Sequence, residues 1–359
     1  MITKPTLLLD KQKCLRNIAV MSSKAKNNHV SFRPHFKTHQ SLEIGRWFKE
    51  LGVDKITVSS LEMAQYFSSE WNDITVAFPV NILELDTINQ LSETITLHLL
   101  VESVEAIKYL AQNTINKIGI FIKIDVGYGR TGLSPTSTQQ IDEILTVIRA
   151  SKALIFKGFL THAGHTYTCR AKEEILIIHH TSKDILTGLK ANYIDSYPDL
   201  IISIGDTPSC SVVDDFSGID EIRPGNFVFY DLTQHQIGSC TIDQISVAMA
   251  CPIVAIHTER NEMVIYGGGV HFSKERMEVD NQGTIYGIVV EQLKKGWSEP
   301  IPGMFVKSLS QEHGIISAPE PLISNYKIGD LLYLLPVHSC MTANEMKYYK
   351  SHDEIISRL

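Results

Sequence analysis

Short β-branched apolar runs alternate with amphipathic helical stretches through the first two thirds of the chain, with a period of about 25 to 30 residues. In one helical stretch the apolar positions are Ile141, Ile144, Leu145 and Ile148. The eight apolar runs are Val30–Phe36, Lys55–Ser59, Ile74–Phe78, Ile95–Val101, Ile118–Asp125, Leu154–Thr161, Leu200–Ile204 and Ile219–Arg223. Eight strands that alternate with helices predict an α/β fold, a (β/α)8 TIM-type barrel.

A doubly wound open sheet is the competing fold, but no Gly-x-Gly-x-x-Gly follows the first strand. After about residue 240 the alternation stops, and strand-like runs with turn residues between them follow. These runs are Ile245–Ile256, Glu262–Tyr266, Thr284–Val290, Met304–Leu309, His313–Ile316 and Leu331–Leu335, with a hairpin tip at Arg260-Asn261-Glu262. The sequence therefore predicts a barrel over residues 11–240 and a mostly β domain over residues 241–359. The strand-like opening within residues 1–10 could belong to the second domain.

Composition excludes several classes of protein. The chain of 359 residues has a net charge of −7 and no basic stripe, which argues against nucleic acid as a partner. No apolar run approaches the ~20 residues that span a bilayer, and the opening lacks the pattern of a signal peptide. The six cysteines are scattered without a Cys-x-x-Cys pair, so reduced thiols and a cytoplasmic location are expected.

Polar residues concentrate at the ends of the predicted barrel strands, where this fold carries its chemistry. Lys37 follows the first strand and lies between His35 and His39. A lysine that loses hydration in a packed rim is easier to deprotonate, which imine formation requires. The loops at Gly205–Ser209 and Gly225-Asn226 follow the last two strands, the usual phosphate cradle of this fold. Together they predict a phosphorylated aldehyde bound opposite Lys37.

At these residues the sequence resembles the D-threonine aldolase and D-serine dehydratase family of alanine-racemase-like (fold type III) enzymes, which depend on pyridoxal phosphate (PLP). The resemblance covers almost the whole chain. The motifs that carry it are PTLLLD (Pro5–Asp10), RPHFKTH (Arg33–His39), KIDVGYGRTG (Lys123–Gly132), THAGHTY (Thr161–Tyr167), SIGDTPS (Ser203–Ser209), RPGNFVFYD (Arg223–Asp231) and PVHSCMT (Pro336–Thr342).

The resemblance implies a role for each matching residue. It implies that Lys37 binds PLP covalently and removes the α-proton of a D-amino acid, and that Arg130 neighbours the phenolic oxygen of the cofactor. It also implies a homodimer in which the C-terminal domain of one subunit helps to close the barrel mouth of the other. The further cofactor neighbours that it implies are His35, His162 by the ring, Tyr167 near the ring or its nitrogen, Thr207, Gly225 and Asn226 at the phosphate, and Tyr193 and Tyr230 nearby.

His338-Ser339-Cys340 is a candidate metal site. Residues i and i+2 of a strand point to one face, so the imidazole and the thiolate could bind one ion, and this pair favours zinc. A His-x-Cys pattern is common by chance and is more often structural. In the family that the chain resembles, the corresponding pair binds a catalytic metal, with His-x-Cys typical of zinc-dependent D-serine dehydratases and His-x-Asp typical of the aldolases.

The expected activity is that of a lyase acting on a β-hydroxy D-amino acid, with D-serine converted to pyruvate and ammonia. Retro-aldol cleavage of the D-threonine aldolase type uses the same residues and stays open. An amino-acid racemase would need a second base, for which the sequence offers no clear residue. A PLP-carrier or homeostasis protein would resemble the barrel alone, and a cofactor-free Schiff-base aldolase is a further alternative.

One segment departs from the family pattern. Many dehydratases have Asp-Ala-Gly-Ser-Lys near the start of the β domain, whereas this chain has Gly-Gly-Gly-Val-His-Phe-Ser-Lys over residues 267–274. His271 and Lys274 either alter the substrate pocket or belong to a tight turn with a solvated lysine. The identity of the substrate depends on which of these holds.

Overall fold

The computed structural model describes residues 1–359, which form two compact units. One unit comprises Ala19–Gly225, and the other comprises Met1–Ile18 together with Asn226–Leu359. These boundaries differ from the predicted ones at residues 10 and 240. Asn17 Nδ2 donates to the carbonyl oxygen of Gln244 at 2.8 Å, which holds this part of the first helix to the second unit. Elements are numbered in chain order, beginning with β1 (Thr6–Leu9) and α1 (Lys11–Asn27).

The first unit is an eight-stranded parallel barrel, which confirms the predicted fold. Its strand order is β2-β9-β8-β7-β6-β5-β4-β3, and a parallel bridge between His35 and Thr57 links the two ends of this order. The competing open sheet is thereby excluded. The strands are β2 (Ser31–Phe32), β3 (Ile56–Val58), β4 (Asp73–Pro79), β5 (Thr96–Val101), β6 (Ile118–Lys123), β7 (Leu154–Leu160), β8 (Ile201–Ile204) and β9 (Glu221–Ile222).

Helices follow the barrel strands, as the apolar periodicity predicts. In α6 the buried residues are Ile141, Ile144, Leu145 and Ile148, which recur at the spacing of one helix face. Ser103 begins α5 by accepting a hydrogen bond from the backbone N–H of Ala106 at 3.1 Å. The helices are α2 (Leu42–Glu50), α3 (Leu61–Phe67), α4 (Leu85–Thr94), α5 (Val104–Asn113), α6 (Thr138–Ala150), α7 (Lys172–Tyr193) and α8 (Thr207–Val212).

The second unit is built on a nine-stranded, mostly antiparallel sheet of order β11-β16-β15-β14-β17-β10-β1-β18-β19. β1 lies inside this sheet, antiparallel to β10 and parallel to β18. β12 and β13 pair with each other in a separate two-stranded sheet. The strands of this unit after β1 are β10 (Val247–His257), β11 (Glu262–Tyr266), β12 (Met277–Val279), β13 (Gly283–Ile285), β14 (Gly287–Val290), β15 (Phe305–Leu309), β16 (His313–Ser317), β17 (Leu331–Pro336), β18 (Tyr348–Ser351) and β19 (Glu354–Ser357).

Four short helices complete the second unit, and one of them changes the predicted geometry of the metal pair. They are α9 (Leu232–Ile237), α10 (Gly269–Phe272), α11 (Glu320–Ile323) and α12 (Ser339–Glu345). The predicted hairpin at Arg260-Asn261-Glu262 is present, with Asn261 left-handed at φ 56°. No helix of the structure is long and apolar enough to cross a membrane.

Candidate active site

Lys37 lies just beyond β2, in a segment that backbone hydrogen bonds hold on both sides. His35 N–H donates to the carbonyl oxygen of Pro224 at 2.9 Å, and Phe36 N–H donates to that of Thr57 at 2.8 Å. The side chain of Lys37 is exposed. The loss of hydration expected in a packed rim is therefore not provided by the protein alone.

The loop after β9 lies directly against the segment that carries Lys37. A Cβ atom added at Gly225 would lie 3.0 Å from the carbonyl oxygen of His35 and 3.2 Å from Thr38 Oγ1. Glycine therefore favours this close approach, since any larger residue would have to push its neighbours back by a few tenths of an ångström. The predicted lysine and one of the predicted phosphate loops are neighbours on the barrel rim.

Two neutral imidazoles flank this region. Burial lowers the pKa of His35 well below its usual value, and the nearby charges of Lys37 and Arg223 lower it further. Burial also lowers the pKa of His162 well below its usual value, although the hydrogen bond between its Nδ1 and the carbonyl oxygen of Gly205 opposes the shift. Both rings are consequently uncharged at neutral pH and can pack against an aromatic ligand.

The loop after β6 presents Arg130. Asp125 Oδ1 accepts hydrogen bonds from three successive backbone N–H groups, those of Gly127 at 3.0 Å, Tyr128 at 2.9 Å and Gly129 at 3.1 Å. The loop is closed by Leu133 N–H, which donates to the carbonyl oxygen of Lys123 at 2.9 Å. The Arg130 guanidinium stacks over the Tyr128 ring with its Cζ atom 5.0 Å from the ring centroid.

Tyr167 and Thr207 lie in the segments that follow β7 and β8. The ring centroids of His162 and Tyr167 are 6.4 Å apart. Thr207 is buried and begins α8, which Asp206 caps by accepting a hydrogen bond from Ser209 N–H at 2.7 Å. These contacts bring Tyr167 close to His162, and they fix the loop between β8 and α8.

Sequence reasoning missed a group of buried charges beneath the rim. Lys123 is 4% exposed, and burial together with the charges of Arg223 and Arg130 lowers its pKa to about 7. Arg223 Nε donates to Ser203 Oγ at 2.7 Å. Glu102 has a buried Oε2 without a hydrogen-bond partner. The sequence signal for Lys123 and Arg223 is their position as charged residues at the ends of apolar strands.

The candidate metal pair belongs to the second unit, and its geometry differs from the prediction. His338 is the extended N-cap residue of α12, and Cys340 lies in the first turn of that helix, so the argument from strand alternation is wrong. His338 Nδ1 lies 3.1 Å from Asp231 Oδ2. Burial works to lower the pKa of His338, but the Cys340 charge and this bond outweigh it and raise the pKa to about 9. No group of three or more His, Cys, Asp or Glu residues is placed to hold a metal ion.

Four other residues singled out in the sequence also have defined positions. The side-chain amide of Asn226 donates to Asp231 Oδ2 at 2.6 Å, so only its backbone is available for the predicted phosphate contact. Tyr193 ends α7 and donates to Asp142 Oδ1 of α6 at 2.8 Å, which places it in the outer helical layer and not on the rim. Tyr230 is buried and left-handed at φ 49°. His271 Nδ1 accepts a hydrogen bond from Gly268 N–H at 3.2 Å, which favours a structural turn.

Comparison with known proteins confirms the predicted family. Residues 9–232 match the family described as "Alanine racemase, N-terminal domain", and residues 246–351 match "Putative serine dehydratase domain". The first match covers well over half of the chain, so the chain belongs to the alanine-racemase-like family of fold type III enzymes.

Its relatives are D-amino-acid lyases. The D-serine dehydratase of Dictyostelium discoideum is 29% identical, over 95% of this chain and 91% of its own length. The D-threo-3-hydroxyaspartate dehydratase of Delftia sp. (strain HT23) is 25% identical, over 97% of this chain and 93% of its own length. The solved structure of a cysteine-to-alanine variant of D-threo-3-hydroxyaspartate dehydratase, in a metal-free form, superposes with a TM-score of 0.91 at 25% identity. The match covers 100% of this chain and 98% of that chain. These relatives support the predicted PLP-dependent lyase.

Proposed function

We propose that this chain is a PLP-dependent, zinc-assisted lyase that converts a β-hydroxy D-amino acid, in the first instance D-serine, into pyruvate and ammonia. The proposal includes a homodimer in the cytoplasm. Its main support is the direct contact between the segment that carries Lys37 and the loop that carries Gly225. The similarity to D-serine dehydratases supports the substrate class.

In this proposal, residues of the barrel rim would hold PLP. Lys37 would hold the aldehyde carbon, Thr207 and the Gly225 backbone would hold the phosphate, and His35, His162 and Tyr167 would surround the ring. Arg130 would face the phenolic oxygen. When bound, PLP supplies an electron sink for the charge left at the α-carbon after proton removal.

Each reacting group of the substrate then has a residue to act on it. The Lys37 amine removes the α-proton, for which its exposed position leaves room. His338 and Cys340 would hold zinc, a Lewis acid that makes the β-hydroxyl a better leaving group. Loss of the α-proton and hydroxide releases water, and hydrolysis of the resulting enamine gives pyruvate and ammonia.

Covalent attachment of the cofactor tests the first half of the proposal. The purified protein should be yellow and should bleach with borohydride, and peptide mapping should find the label on Lys37. Lys37→Ala should abolish the label, whereas exposed Lys152→Ala should retain it. A label on Lys123, the buried lysine beneath the rim, would overturn the assignment of Lys37.

A substrate panel with zinc removal tests the second half. The panel contains D-serine, D-threo-3-hydroxyaspartate, D-threonine and D-alanine, and products are identified with and without zinc. Pyruvate from D-serine that is lost on chelation and restored by zinc supports the proposal. Glycine and acetaldehyde from D-threonine would indicate the aldolase reaction, and L-alanine from D-alanine would indicate a racemase. Full turnover in the metal-free protein would contradict the metal step.

A further inference from the structure

Asp231 is a carboxylate with no exposed surface that collects donors from around the candidate metal pair. Its Oδ2 accepts hydrogen bonds from Asn226 Nδ2 at 2.6 Å, Ser339 N–H at 2.9 Å and Ser339 Oγ at 3.2 Å, and lies 3.1 Å from His338 Nδ1. Its Oδ1 accepts Gln234 N–H at 2.9 Å and so caps α9. Capping needs one oxygen only, and a serine or an asparagine would provide it. The second oxygen therefore requires another explanation.

The contact between Asp231 and His338 determines which nitrogen of the imidazole ring has a lone pair for a metal. Both carboxylate oxygens of Asp231 accept backbone N–H groups, Oδ1 from Gln234 at 2.9 Å and Oδ2 from Ser339 at 2.9 Å, and an ionised carboxylate only accepts hydrogen bonds. Nδ1 must then carry the hydrogen. In the neutral ring this leaves the lone pair on Nε2, which is the form that binds a metal.

Asn226 connects the Asp231 carboxylate to the sulfur of Cys340. Its Nδ2 lies 3.0 Å from Ser339 Oγ and 3.4 Å from Cys340 Sγ, in addition to its bond with Asp231. The amide has two hydrogens, so one is directed to Asp231 while the other is shared between the hydroxyl and the sulfur. One buried amide thus links the carboxylate that orients the imidazole to the thiol.

We propose that Asp231 and Asn226 are positioning residues that set the two metal ligands before the metal binds. Asp231 fixes His338 as the Nδ1–H tautomer, and Asn226 donates an N–H to the Cys340 sulfur and fixes its direction. Outer contacts of this kind orient metal ligands and tune their affinity for the metal. This inference rests on the proposed zinc-assisted function.

Zinc affinity of the PLP-loaded protein, measured by competition with a chromophoric chelator, provides the first test. Asp231→Asn keeps a capping oxygen but presents an amide N–H₂ to His338 Nδ1, which drives the hydrogen to Nε2 and blocks the ligand. Zinc should bind about 10- to 100-fold more weakly. Asp220→Asn is the matched control, because Asp220 is a partly buried barrel carboxylate that accepts Ile202 N–H at 2.7 Å and pairs with Lys190. It should leave zinc affinity unchanged.

The tautomer of His338 is a readout that does not depend on any variant of Asp231. In ¹⁵N-histidine-labelled wild type, the His338 signal, identified by its loss in His338→Gln, should show its single hydrogen on Nδ1 whenever the ring is neutral, both with and without zinc. A neutral metal-free ring that carries its hydrogen on Nε2 would overturn the proposal, and so would equal zinc affinity in a folded Asp231→Asn protein. A wild type that binds no zinc would contradict the metal step of the proposed function instead.

Discussion

Lys123 lies at the end of β6, 4% exposed and without an ion-pair partner, and its environment makes stability depend on pH. Burial lowers its pKa from 10.5 to about 7, so between these pH values the unfolded chain binds a proton that the folded protein does not. The contribution of Lys123 to the free energy of unfolding therefore rises with pH between about 7 and 10.5 and is lowest below about pH 7.

We expect Lys123→Met to stabilise the protein by about 2–4 kcal/mol near pH 7, because it removes a buried amine while it nearly keeps its volume. The gain should shrink as the pH rises towards 10.5. Urea unfolding of wild type and variant at several pH values measures it, with exposed Lys152→Met as the control. The same pH slope in wild type and Lys123→Met would show that the amine is protonated in the folded protein.

The sequence predicted those site residues that directly follow a recognisable strand in the chain. Lys37, His162 and Arg130 follow apolar runs, so their placement on the rim comes from the barrel rule alone. Asp231 offers no such signal, since its partners at Asn226 and His338 come together only through packing. The strand geometry assumed for His338 and Cys340 was wrong because Ser339 begins a helix.

At the scale of elements, hydrogen bonds to one carboxylate, that of Asp125, hold the loop between β6 and α6 in its conformation. Asp125 accepts the N–H groups of three consecutive residues, and this leaves Arg130 on a short, closed segment. Asp125→Ala should lower kcat/KM about 10- to 100-fold because Arg130 loses its fixed position. Asp125→Asn keeps an acceptor oxygen, so it should lower kcat/KM much less than Asp125→Ala does.

A double variant shows whether Asp125 acts through Arg130. Asp125→Ala combined with Arg130→Ala should be no slower than Arg130→Ala alone, since the loop would then have nothing to position. Far-UV circular dichroism and the thermal midpoint should match those of wild type. Additive losses in the double variant would contradict the positioning role.

All eight barrel strands and most of the β domain were predictable, because apolar runs recur at a regular spacing along the chain even where the strand itself is only two or three residues long. The predicted strand Thr284–Val290 is instead two strands, with Ile285 in β13 pairing with Met277 and Gly287 in β14 pairing with Pro336. The hairpin of β18 and β19 was missed because its polar sequence lacks a clear alternation. Such strands are specified by their neighbours in the sheet, which a local pattern does not contain.

At the scale of the whole barrel, closure depends on strands of only two or three residues, and one buried arginine reinforces it. Arg33 Nε donates to Glu221 Oε2 of β9 at 2.7 Å, and Arg33 Nη1 donates to Asp73 Oδ1 of β4 at 2.5 Å. Thr57 Oγ1 of β3 donates to the Arg33 carbonyl oxygen at 3.0 Å. One residue therefore connects four strands across the seam where β2 closes the barrel.

Arg33→Met should destabilise the barrel by about 3–5 kcal/mol, because it leaves two carboxylates without their cation. Against the effect of burial, Arg33 holds the pKa of Glu221 below its usual value, and the hydrogen bond with His98 together with Arg33 does the same for Asp73. The stability from these pairs is thus present above about pH 4 and is lost as the pH falls further. The urea midpoint of the variant should fall at neutral pH, and it should vary less than that of wild type on acidification.

Arg46→Met is the matched control, since Arg46 pairs with Glu70 at 2.6 Å on the surface with 57% of its side chain exposed. Water and salt screen that pair, so its removal should leave the urea midpoint nearly unchanged. Equal midpoints for the two variants would mean that the seam is held by backbone pairing and apolar packing alone. A large loss confined to Arg33→Met would instead show that the barrel, with its rim of Lys37 and His35, depends on a buried ion network for closure.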